Sequence, residues 1–111
     1  MVFYHINMKI LFVCNRNLHR SKTAEELFKD RFETKSAGLY AQHPVTEQQL
    51  KWADVIMVME EEQRHELSKR FPKVYLQKRI FNLDVPDIYN FQDPKLVLSL
   101  KSKVEEYSDL F

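Results

Sequence analysis

With 111 residues, 17 Lys+Arg against 16 Asp+Glu and one cysteine, the chain is sized for one domain, 1–111, and lacks the strongly basic footprint of a dedicated nucleic-acid binder. A single cysteine excludes an internal disulfide framework, and histidines without paired spacing give no zinc signature, so neither a metal nor a cofactor is expected and the compartment reads as the reducing cytoplasm. No signal-peptide pattern opens MVFYHIN, and no run reaches the roughly 18 apolar residues of a membrane span. Met8 directly precedes the first apolar run, which marks residues 1–7 as a possible extension and the part expected to be least ordered.

Ile10 to Val13 reads as a buried strand ending at Cys14. Cys14 to Arg20 is a tight loop, and Ser21 starts a helix with Ala24, Leu27, Phe28 and Phe32 on one face. Thr34 to Ala37 makes a short strand ended by Gly38, the only glycine, which marks a special backbone position. Thr46 with Gln49 three residues on is a capping box opening a brief helix through Trp52. Val55 to Met59 is a continuous apolar run suited to a strand covered on both faces. Glu60 to Arg70 begins acidic and ends basic, in keeping with the helix dipole, and is expected to stop at Pro72. The last strand falls at Arg79 to Leu83 in preference to Val74 to Leu76. Asp93 as N-cap with Pro94 in the first turn opens a final helix carrying Leu96, Leu100, Val104 and Tyr107 at helical spacing. This alternation argues a parallel sheet between layers of helices, with ligands bound beyond the carboxyl ends of the strands, where Cys14 sits.

A loop closed between Cys14 and Arg20 can turn backbone N–H groups inward as a nest, and the following helix adds its positive end. Both favour a bound dianion, and the same field favours a thiolate at Cys14. Arg20 offers a planar fork for two phosphoryl oxygens, Ser21 can donate its hydroxyl hydrogen to the sulfur, and Asn17 is a residue type that tolerates a left-handed backbone.

Cys14-Asn15-Arg16-Asn17-Leu18-His19-Arg20-Ser21, preceded by Ile-Leu-Phe-Val, resembles the phosphate loop of the low-molecular-weight protein tyrosine phosphatases, whose pattern is C-x5-R-[ST]. The similarity continues through Ser36-Ala37-Gly38, through Ala53 to Met59 and into Asp87-Ile88-Tyr89. It implies an α/β three-layer sandwich whose four-stranded parallel sheet has the order 2-1-3-4. It also implies a phosphate-binding loop of Asn15, Arg16, Asn17, Leu18, His19, Arg20 and Ser21, with Cys14 as nucleophile. Arg16 stands where the family usually has glycine, and His19 where many relatives carry a second cysteine.

Displacing an alkoxide or phenoxide requires a proton donor, and Asp84, Asp87 and Asp93 compete for that role. Asp93 is explained by capping. Asp87, in Pro-Asp-Ile-Tyr, resembles the family's D-P-Y general acid and is preferred, with Asp84 as the fallback; Tyr89 and Tyr40 are expected to wall the substrate. The expected activity is hydrolysis of a phosphorylated protein, through tyrosine, or of a small aryl phosphate, by way of phosphocysteine, with inorganic phosphate or sulfate also fitting the loop. The rivals are a catalytically weak phosphate- or phosphotyrosine-binding module on the same fold and, further off, a phosphocysteine phosphocarrier. Lys69, Arg70, Lys73, Lys78 and Arg79 read as solvated charge.

Overall fold

In the computed structural model, which describes residues 8–110, the first apolar run is the central strand β1 (Lys9–Cys14). The expectations about residues 1–7 lie outside the described residues. β2 (Glu33–Gly38), β3 (Val55–Val58) and β4 (Arg79–Asn82) join β1 in a sheet of order β2-β1-β3-β4, every pairing parallel. This is the topology that the family resemblance implies. The register sets Cys14 beside Gly38 and Val13 beside both Ala37 and Val58.

Because side chains alternate across a strand, one run of apolar residues feeds two cores. Ile10, Phe12 and Cys14, with Val55 and Met57, face α1 (Arg20–Phe28) and α5 (Pro94–Tyr107), where they meet Ala24, Phe28, Leu96, Leu100 and Val104. Leu11, Val13, Ile56 and Val58 face the opposite layer of α2 (Glu47–Trp52), α3 (Glu61–Arg70) and α4 (Pro72–Gln77), meeting Leu50, Leu67 and Val74. Full burial of each of these Val, Leu, Ile, Phe and Met side chains is worth about 1.5–3 kcal/mol.

The expected caps are present. Thr46 Oγ1 accepts from Gln49 N at 3.2 Å while Gln49 Oε1 accepts from Thr46 N at 2.9 Å, and Asp93 accepts from Lys95 N at 2.8 Å ahead of Pro94. α3 stops ahead of Pro72 as expected, at Phe71, whose φ of −134° and ψ of 61° leave the helix, a proline disfavouring helical backbone in the residue before it. Not expected is that Pro72 also opens α4, because a proline in the first turn costs no hydrogen bond and arrives with helical φ already set. Val74 to Leu76 are therefore helical, and the last strand is Arg79–Asn82, one residue shorter than expected. Arg70 and Lys78 are not merely solvated charges: Arg70 donates to Leu39 O at 2.7 Å, and Lys78 to Lys51 O at 2.8 Å and Ala53 O at 2.5 Å.

The chain leaves β1 toward β2 on one side and returns to β3 on the other. β1 therefore stands where the strand order reverses, and the crevice beyond its carboxyl end is where such sheets bind ligands.

Candidate active site

Cys14 is the last residue of β1, buried, and its sulfur faces the loop that follows. Asn17 N donates to Cys14 Sγ at 3.1 Å, and Ser21 Oγ lies 2.9 Å from the same sulfur. Ser21 Oγ is also 2.7 Å from Asn17 Oδ1, so its single proton serves one of two neighbours. With a thiol, Sγ–H donates to Ser21 and Ser21 donates to Asn17. With a thiolate, Ser21 turns its proton onto the sulfur and joins the Asn17 amide. Asn17 reaches this geometry with φ of 57°, the left-handed backbone that asparagine accommodates. Arg16 is not among the described residues with positive φ, so the loop accepts a side chain at this position without a left-handed backbone, and Arg16 stands exposed in the lining of the loop's cavity.

Two backbone bonds pin the loop to the strand beside it: Leu39 N to Cys14 O at 2.9 Å and Tyr40 N to Asn15 O at 2.7 Å. Gly38 lies under them. A Cβ there would meet the Arg16 carbonyl carbon at 2.8 Å, the Asn15 carbonyl oxygen at 2.9 Å and Ala41 Cβ at 2.9 Å, and two of those three atoms are loop backbone. The special position anticipated for the only glycine is therefore one of close approach, not of turn conformation.

Arg20 opens α1 and is 2% exposed. Its Nη1 donates to Val85 O at 2.8 Å and is ion-paired with Glu60, while Nε stands 3.8 Å from Asp87 Oδ1. The guanidinium is thereby fixed in orientation. Cys14, Asn15, Arg16, Leu18, His19 and Arg20 share the lining of one cavity of about 560 Å³ with Asp87 to Asn90. Polar donors occupy its depth, and Leu18, 52% exposed, and Ile88, 74% exposed, present apolar surface at its mouth beside Tyr89.

Of the residues named from sequence, the fold gathers Cys14, Asn15, Arg16, Leu18, His19, Arg20, Asp87 and Tyr89 around this cavity, while Asn17 and Ser21 do not line it and instead hold the Cys14 sulfur. Tyr40 is not brought to it: that ring is 60% exposed and lies under the Arg70 guanidinium at 4.9 Å. Asp84 lines a separate hollow with Glu61, Arg64 and Lys103, and its N–H bonds Asn82 Oδ1 at 2.9 Å, a turn role. Two residues escaped notice. Glu60, read only as the start of a charged helix, is the N-cap of α3 and the partner of Arg20, and Gln63 is a buried amide that reaches Asn15 at 3.1 Å. The signals were an acidic residue just past the end of an apolar parallel strand, where sites form, and the Glu-x-x-Gln spacing of a capping box. Among the described residues no cluster of His, Cys, Asp and Glu has the makings of a metal site, and no helix is long and apolar enough to cross a membrane.

The fold is that of the low-molecular-weight protein tyrosine phosphatases. The low-molecular-weight protein tyrosine phosphatase from T. tengcongensis superposes with a TM-score of 0.78 at 23% identity, over 95% of this chain and 100% of that one. The tyrosine phosphatase Wzb from Escherichia coli K30, in complex with phosphate, gives 0.72 at 18% identity over 93% and 97%. The YwlE arginine phosphatase from Geobacillus stearothermophilus gives 0.63 at 22% identity over 93% and 87%. No protein-family model matches the sequence, and no curated protein matches it either.

Proposed function

We propose that this protein hydrolyses aryl phosphomonoesters, phosphotyrosine in protein foremost, through a phosphocysteine intermediate. The observation that carries the reading is the sulfur of Cys14, held by two hydrogen-bonding groups beside a cavity whose lining also contains the Arg20 guanidinium and the Asp87 carboxyl. In this mechanism Cys14 Sγ attacks phosphorus in line as the bond to the leaving oxygen breaks, and Asp87 gives that oxygen its proton. Arg20 and the loop amides stabilise the equatorial oxygens. Water then attacks the phosphocysteine, losing a proton to the Asp87 carboxylate. The S–P bond breaks, releasing inorganic phosphate and the thiolate.

The apolar mouth formed by Leu18, Ile88 and Tyr89 suits a planar ring better than a charged alkyl chain. The neighbours' names include tyrosine and arginine phosphatases, so the substrate class is put to the test directly. Phosphotyrosine peptides, phosphoarginine peptides and an aryl phosphate are offered to wild type, Cys14→Ser and Asp87→Asn. Turnover of the first and third, its disappearance in Cys14→Ser, and a loss of about 10²-fold or more in Asp87→Asn are expected, the last being the usual contribution of a general acid. Preference for phosphoarginine overturns the substrate class. A second reading, the weak binding module, is favoured by one feature: Asp87 Oδ1 stands 3.8 Å from Arg20 Nε, engaged with the loop's own cation. Phosphate binding without turnover in wild type establishes that reading in place of the first, and a phosphocysteine that accumulates without attack by water points to the phosphocarrier.

A further inference from the structure

The second residue of the loop carries an amide whose orientation is set from outside the loop. Gln63 is 2% exposed, and its Oε1 accepts from Met59 N at 2.7 Å and from Glu60 N at 3.0 Å. A backbone N–H can only be met by an acceptor, so these donors determine which end of the Gln63 amide is oxygen. Nε2 is thereby turned toward Asn15 and donates to Asn15 Oδ1 at 3.1 Å. With its oxygen engaged, Asn15 keeps Nδ2, whose two protons make no hydrogen bond among the described residues, while Asn15 itself lines the cavity beside Cys14 and Arg20.

We propose that Asn15 donates through Nδ2 to an oxygen of the bound phosphoryl group, and that Gln63 is the positioning residue that holds Asn15 in this orientation. The proposal rests on the reading of the loop as a phosphate site. An amide flipped end for end occupies the same space but turns a lone pair, not a proton, toward a dianion. Steric fit cannot choose between the two orientations, whereas Gln63 can. A capping residue at this position needs only its acceptor, and glutamate would cap equally well. Glutamine adds the donor that fixes Asn15.

The test is direct binding of inorganic phosphate, by titration calorimetry on the whole chain, to wild type, Asn15→Ala, Gln63→Glu and the double variant, with aryl phosphate hydrolysis measured in parallel. Asn15→Ala is expected to weaken phosphate about tenfold, as loss of a hydrogen bond to a charged group does. Gln63→Glu keeps the cap, turns the Asn15 oxygen toward the anion and weakens phosphate at least as much. That loss shrinks in the Asn15→Ala background, because Gln63 acts through Asn15. An equal loss in both backgrounds means that the added charge acts alone, which overturns the positioning role. If Gln63→Glu does not fold, Asn15→Ala decides: wild-type phosphate affinity in that variant overturns the proposal, whatever its turnover. Absence of turnover in wild type, with phosphate binding that still responds to Asn15→Ala, rejects the hydrolase and leaves this inference standing.

Discussion

Ser21 and Gly38 serve the same loop by opposite means, one through a proton and the other through the absence of a side chain. Ser21→Ala removes the hydroxyl 2.9 Å from Cys14 Sγ, leaving the sulfur only the Asn17 amide. The expected result is a fall in kcat of about 10- to 100-fold, in the range of a lost charge-stabilising donor, with phosphate affinity little changed; steady-state kinetics and phosphate titration separate the two. Gly38→Ala drives a methyl to within 2.8 Å of loop backbone, where no flexible side chain can yield. A loss of about 1–3 kcal/mol, typical of overpacking, is expected in denaturant unfolding, together with reduced phosphate affinity from the displaced loop. Cys14, Arg20, Ser21 and Asn17 were legible because they fall within one short stretch whose spacing carries the chemistry. Glu60 and Gln63 were not, since their partners lie 40 and 48 residues away and only the sheet brings them together.

At the scale of elements, α3 clamps the segment that leaves β2. Arg70 Nε bonds Glu66 at 2.7 Å, its Nη1 bonds Leu39 O at 2.7 Å, and its guanidinium covers Tyr40, whose N–H holds the loop at Asn15 O. Tyr40, taken from the sequence as a substrate wall, serves here in an anchoring strap. The hydrogen bond from Arg70 holds the Glu66 carboxyl below its ordinary value of 4.5, with the charges of Arg70, Lys69 and His65 adding to the effect. A carboxyl whose folded pKa is lowered stabilises the fold above its unfolded pKa, and that contribution is lost as pH falls through the folded value. Glu66→Gln is therefore expected to unfold at lower denaturant than wild type at neutral pH, with the gap closing in acid; urea midpoints across that range check it, and a gap independent of pH contradicts it. Helix identities were readable from caps and periodicity. The stop of α3 before Pro72 was readable too, but α4 was not, because a proline that only ends one helix and a proline that also opens the next look alike until the backbone beyond it is known.

For the whole molecule, the sheet separates two cores that share only its strands. Leu11→Ala on one face and Leu96→Ala on the other are each expected to cost about 2–5 kcal/mol, and the double variant to lose close to the sum, because the two side chains lie in different clusters. Equilibrium unfolding of the single and double variants measures this, and strong coupling would contradict the two-core division. On the proposed function, phosphate binds the folded chain and not the unfolded one, and is expected to raise Tm progressively, by the equivalent of about 2.7 kcal/mol at a hundredfold excess over Kd. Asn15→Ala should blunt that rise.

The sequence by itself determined the alternation of strands and helices and the placing of Cys14 and Arg20 at the two ends of a short loop after the first strand, because apolar periodicity, caps and loop spacing are local and act along the chain; the strand order came from the family resemblance. Tertiary structure alone decided that Asp87 and not Asp84 shares the cavity, that Tyr40 stands outside it, and that Glu60 and Gln63 hold the loop from across the sheet. These are relations between residues distant in sequence. They come into being only when the strands pair and bring the ends of β1 and β3 and the loop after β4 to one edge.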